Sequence, residues 1–193
     1  MKTQKKLWSA LAALCVATGT VAQPAYNYSK LQKEQLGRGV VAIRENPSDV
    51  VVSWRYLSSD PINTSFNVYR NGEKIAEVPN STGTFYRDTY SGNEKAVYTV
   101  KPMINGVETG KLNGNYTLPA NAPSGYIDIP LDRPAEGVTP SGQKYTYSPN
   151  DASIGDVDGD GEYEIILKWD PSNAHDNAHD GYTGNVYFDC YRL

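Results

Sequence analysis

The residues with the clearest chemical potential are carboxylates. Asp156, Asp158 and Asp160 alternate, Gly161 follows directly, and Glu162 and Glu164 lead into the apolar run Ile165-Ile166-Leu167. A loop of this type wraps its carboxylates around one point, because glycine permits the sharp turn that folds the chain back. Without a cation, several like charges within a few ångströms repel, so the pattern points to a metal site rather than to a solvated acidic face. Calcium suits it, being a large hard cation that accepts irregular sets of oxygens. Magnesium keeps its waters, and no Cys/His set has zinc spacing. An EF-hand requires a bidentate Glu at the twelfth loop position; counting from Asp156 that position is Leu167, so this is not an EF-hand. An acid stands instead at the ninth position, Glu164. Glu162, at the seventh, is expected to offer its backbone carbonyl, and Asp151 upstream is a further carboxylate within reach.

Downstream, Lys168 to Gly184 is a long polar stretch with Pro171 and many Asn, Asp and Gly residues. It reads as a loop between strands, where binding residues concentrate. His175 and His179 are four apart, but nothing here supports a helix that would present them together, so surface histidines are expected. Asp176 and Asn177 are candidates for a second, weaker cation site.

The elements that must position these groups are strands. Val50-Val51-Val52-Ser53-Trp54-Arg55-Tyr56 starts as a β-branched run and then alternates, and Phe66-Asn67-Val68-Tyr69-Arg70 runs into Asn71-Gly72, the dipeptide most favoured in two-residue hairpin turns. Ala96 to Val100 leads to a second Asn-Gly, at 105–106. About seven short strands between residues 37 and 120 fit a two-sheet sandwich with Trp54 and Tyr98 in its core. Residues 119–149 are punctuated by Pro and Gly, with short strands expected at Tyr126–Ile129 and Gly142–Tyr147.

Composition sets the class. The 193 residues carry 18 Lys+Arg, 22 Asp+Glu, 11% aromatics, 17 Gly and 12 Pro. This is too aromatic for a disordered chain and too acidic for the basic footprint of a nucleic-acid binder. The acidity is concentrated: residues 151–193 hold 10 acidic and 2 basic residues, whereas residues 23–150 are nearly neutral. Residues 1–22 read as a secretory signal peptide, with Lys2, Lys5 and Lys6 before a short apolar core and small residues before Gln23; the core is too short to span a membrane. A secreted or periplasmic protein follows. Cleavage leaves Cys190 as the sole cysteine, expected to be a buried thiol within the apolar run Val186–Tyr191.

The run from Tyr147 to Asp189 contains Ile-Gly-Asp-Val-Asp-Gly-Asp-Gly-Glu-Tyr-Glu, Leu-Lys-Trp-Asp-Pro-Ser-Asn and Gly-Tyr-Thr-Gly-Asn-Val-Tyr. These closely resemble the bacterial rhamnogalacturonan lyases, and the runs Leu36–Ala42 and Phe66–Gly72 look like the N-terminal β-domain of that family. The resemblance implies an all-β chain: a fibronectin type III-like β-sandwich at 37–120 after a 23–36 linker, then at 121–193 the first blade region of an incomplete β-propeller. It implies a secreted, calcium-dependent enzyme cleaving the rhamnose–galacturonate backbone of pectin (rhamnogalacturonan I) by β-elimination. Asp151, Asp156, Asp158, Asp160, Glu162 and Glu164 would hold one calcium, and Asn150 and Asp170 would contact substrate. A blade takes about 40–50 residues, so 121–193 is about one blade. The expectation is an N-terminal portion whose missing blades carry the catalytic groups and which is inactive alone. The alternative is a non-catalytic, calcium-dependent polysaccharide-binding module.

Overall fold

The computed structural model describes residues 35–110 and 113–192. The expected signal peptide and residues 23–34 of the expected linker lie outside the described residues. The described residues are all-β, with thirteen strands and no helix among them.

Eight strands make the N-terminal part: β1 (Val41–Asn46), β2 (Asp49–Ser53), β3 (Ser65–Arg70), β4 (Glu73–Val78), β5 (Phe85–Thr89), β6 (Ala96–Ile104), β7 (Val107–Glu108) and β8 (Gly114–Leu118). One antiparallel sheet runs β1-β2-β5, and the other runs β4-β3-β6-β7 with β8 also on β6. Both Asn-Gly dipeptides sit at hairpin turns with positive φ at each residue, 51° and 85° at Asn71-Gly72 and 51° and 76° at Asn105-Gly106. That is the backbone a two-residue turn between twisted strands requires. Alternation then decides the core. Val50, Val52 and Trp54 come from one sheet's side and Phe66, Val68, Ala96, Tyr98 and Val100 from the other, all buried in a single cluster. Trp54 meets the Phe66 ring edge-on at 5.4 Å.

Outside this core, Glu108 gathers three donors. It accepts from Tyr69 Oη at 2.5 Å, Asn67 Nδ2 at 2.7 Å and Lys101 Nζ at 2.9 Å. The Tyr69 hydroxyl first, then Asn67 and Lys101, hold its carboxyl down at about 2. The folded form therefore favours the ionised carboxylate, and this stabilisation is complete above the ordinary value of 4.5 and lost as pH falls from there through about 2. The side chain is 30% exposed, so screening leaves it worth about 1 kcal/mol. Glu108→Gln is expected to lower the melting temperature by a few degrees at pH 7 and to lose that deficit near pH 2, as followed by thermal melts across pH.

The remaining strands are β9 (Gly137–Val138), β10 (Lys144–Tyr145), β11 (Tyr147–Gly155), β12 (Glu164–Pro171) and β13 (Tyr187–Arg192). β9 and β10 pair as a small hairpin, and β11-β12-β13 form an antiparallel sheet with β12 central. Its core face carries Tyr147, Leu167 and Trp169, the last with its indole N–H donating to Asp189 at 2.6 Å. Two expectations fail here. Tyr126–Ile129 is not a strand; it lies between Pro123 and Pro130 and lines a groove against Ile43, Tyr116 and Leu118 instead of pairing. Cys190 is exposed, not buried. It pairs with Ile166 on the face opposite Leu167 and Trp169, away from this sheet's core cluster.

Candidate metal centre

β11 and β12 pair from Tyr147↔Pro171 to Gly155↔Glu164, and the acidic loop closes that end of the ladder. Gly159 and Gly161 have φ of 78° and 93°, which let the chain turn twice within six residues. Each carboxylate then organises the backbone. Gly161 N–H donates to Asp156 Oδ2 at 3.0 Å, Asp160 N–H to Asp158 Oδ1 at 3.2 Å, and Glu162 N–H to Asp160 Oδ1 at 2.9 Å. Val157 N–H donates to Glu164 Oε2 at 2.9 Å.

One carboxylate oxygen from each of Asp156, Asp158 and Glu164 lies within 4.8 Å of the other two. Glu164 is 4% exposed, yet its Oε1 accepts no hydrogen bond among the described residues; the Arg192 Nε lies 3.7 Å away. A buried anionic oxygen without a donor is costly. An all-oxygen donor set with such an atom aimed into it fits a hard divalent cation. Arg192 also pairs with Asp158 and, at 3.1 Å, with Asp160. A positive group thus already lies against three of the loop's carboxylates.

The other residues singled out from the sequence are placed differently. Glu162 turns its side chain away from the cluster, accepting from Gly39 N–H at 3.3 Å and facing Arg55 Nη1 at 3.6 Å. Asp160 is held by Arg192. Asp151 and Asn150 lie exposed where the β11–β12 register shifts between Pro149 and Ala152. Asn150 donates to Asp170, whose other oxygen is 3.0 Å from Lys168 Nζ. The structure therefore brings Asn150, Asp170 and Lys168 together and keeps them apart from the acidic cluster along β12. His175 and His179 are exposed with ring centres 6.4 Å apart. Arg55 and Arg192 are the functional neighbours that reading along the chain missed. Arg55 lies 106 residues from Gly161, and Arg192 lies 34 from Asp158, so no local pattern flags either.

Residues 31–116 match the rhamnogalacturonan I lyases β-sheet domain, and residues 126–193 match the C-terminal domain of rhamnogalacturonan lyase family 11. The rhamnogalacturonan endolyase YesW of Bacillus subtilis (strain 168) is 43% identical over 197 residues, spanning 100% of this chain and 30% of YesW. The rhamnogalacturonan exolyase YesX of the same organism is 46% identical over 164 residues, 85% of this chain and 26% of YesX. The crystal structure of YesX matches with a TM-score of 0.68, and the solved structure of the Bacillus licheniformis rhamnogalacturonan lyase PL11 with 0.67 at 48% identity. Each covers 83% of this chain, which spans 26% of either structure. The chain thus spans under a third of the curated relatives it matches.

Proposed function

From the premise that this chain is a relative of the rhamnogalacturonan lyases along nearly all of its described length, we propose that it forms the N-terminal part of an exported, calcium-dependent lyase acting on rhamnogalacturonan. The observation that carries this reading is the succession of two matches along the chain, to the rhamnogalacturonan I lyases β-sheet domain at residues 31–116 and to the rhamnogalacturonan lyase family 11 C-terminal domain at residues 126–193. Residues 37–120 act as a fibronectin type III-like accessory sandwich, and residues 121–193 open the calcium-binding propeller.

The reaction is a β-elimination. A base takes the proton α to the galacturonate carboxylate, its electron pair becomes a carbon–carbon double bond, and the glycosidic oxygen leaves with a proton. Calcium, when bound, supplies the positive charge that neutralises a carboxylate and makes such a proton more acidic. Asp156, Asp158 and Glu164 would hold the cation, and the Glu162 main-chain carbonyl would be a further ligand. The all-oxygen cluster and the undonated Glu164 Oε1 support calcium over softer metals. Asn150 and Asp170, tied to each other and to Lys168, offer polar contacts to a sugar chain.

The test is digestion of rhamnogalacturonan I with calcium or with chelator. A chain extended to the relatives' length is expected to form ultraviolet-absorbing unsaturated product in calcium and none in chelator. Residues 1–193 alone should form none. If the extended chain merely binds the polysaccharide in calcium, the protein is a non-catalytic binding module.

A further inference from the structure

The acidic loop is held by more than its own strands. Gly37 N–H donates to the Gly161 carbonyl at 2.5 Å, and Arg55 Nη1 reaches the same oxygen at 3.3 Å. Arg55 also donates to the Gly37 carbonyl at 3.2 Å, faces Glu162 at 3.6 Å and covers the Tyr163 ring at 4.5 Å. One side chain from the end of the β1-β2-β5 sheet therefore binds both sides of the seam. Steric fit is equally close. A Cβ at Gly161 would lie 2.7 Å from Gly37 N and 2.9 Å from the Gln35 carbonyl, and one at Gly37 would lie 2.5 Å from Glu162 Oε1.

We propose that Arg55 is a positioning residue for the cation loop: by fixing Gly161 and Glu162 against residues 37–39, it ties calcium affinity to docking of the loop on the N-terminal sandwich. This rests on the reading of the loop as a calcium site. Gathering carboxylates round an ion costs the loop its conformational freedom, and a loop already fixed at two of its residues has less to lose. Linkage makes the effect reciprocal, so calcium strengthens the docking by the same factor. Charge alone predicts the opposite sign, because Arg55 is positive and removing it would ease the approach of a cation. The direction of the effect therefore discriminates between positioning and simple electrostatics.

The experiment is calcium titration by calorimetry of the 193-residue chain, its Arg55→Ala and its Arg55→Lys variants. Amide exchange at Gly37 and Gly39 is measured with calcium and with chelator. Both variants are expected to bind calcium about 5–20-fold more weakly, because lysine keeps the charge but not the planar group that covers the Tyr163 ring. In the unmodified chain, calcium should slow exchange at both glycines. Equal or tighter binding by the variants, or exchange at both glycines indifferent to calcium, overturns the proposal. Should the unmodified chain take up no calcium, the site assignment fails and carries this inference down with it. If Arg55→Ala does not fold, Arg55→Lys and the exchange measurement still decide.

Discussion

Asp158→Ala is expected to abolish the calcium-induced rise in melting temperature. A ligand at 100 times its dissociation constant stabilises the folded state by about 2.7 kcal/mol, which for a chain of this size is a rise of roughly 5–10 °C. Asp158 supplies one of three carboxylates converging within 4.8 Å and also partners Arg192, so its loss removes a carboxylate of the cluster and an ion pair together. The quantity to measure is therefore the difference between melts in calcium and in chelator, which cancels the ion pair. Glu164→Gln should behave alike, with a further effect: the amide places a donor in a buried pocket built around a carboxylate that accepts from Val157 N–H. A full calcium-dependent rise in Asp158→Ala would show that the ion sits elsewhere.

Asp88→Ala is expected to be the most destabilising exchange in the sandwich. Asp88 lies on β5 in one sheet, 4% exposed, and accepts from two residues of the other sheet. Arg70 donates to both its oxygens at 2.8 and 2.6 Å, and the buried Tyr98 hydroxyl donates at 2.8 Å. Burial first, and then the Asp88 carboxylate it donates to, raise the Tyr98 phenol above its ordinary value and keep it a donor. Removing the carboxylate leaves a guanidinium and a hydroxyl without their common acceptor, a loss of about 3–5 kcal/mol or on the order of 10 °C in melting temperature. Tyr98→Phe removes one donor and keeps the ion pair, and should cost less than half as much. Chemical denaturation of both variants checks the ranking; an Asp88→Ala midpoint within error of the unmodified chain would refute the cross-sheet role.

Much of the fold was legible from neighbouring residues. Asn71-Gly72 and Asn105-Gly106 announce turns because few residues other than asparagine and glycine adopt positive φ cheaply, and both turns appear with it. The alternation Val50, Val52, Trp54 reads as one buried strand face because strand side chains alternate with period two, and it is one. The acidic loop was legible for a similar reason: its glycines and carboxylates shape it within a dozen residues, and its Asp side chains cap its own N–H groups. Cys190 was misread because an apolar run does not tell which of its residues face the core cluster, and Cys190 faces away from it. Tyr126–Ile129 was misread because a strand pattern between prolines still needs a partner edge.

By itself, then, the sequence determined what adjacent residues decide together: an all-β chain, its turns, its core-facing positions and an acidic loop whose carboxylates could hold a metal ion. Tertiary structure alone decided which carboxylates converge and which are diverted. It turned Glu162 toward Gly39 and Arg55, gave Asp160 to Arg192, set Asp151 apart on β11, and made Asp88 a bridge between sheets. These outcomes depend on contacts between residues 18 to 123 positions apart. Periodicity and turn chemistry act over a few residues, so only the packing of one sheet against another can bring such groups together.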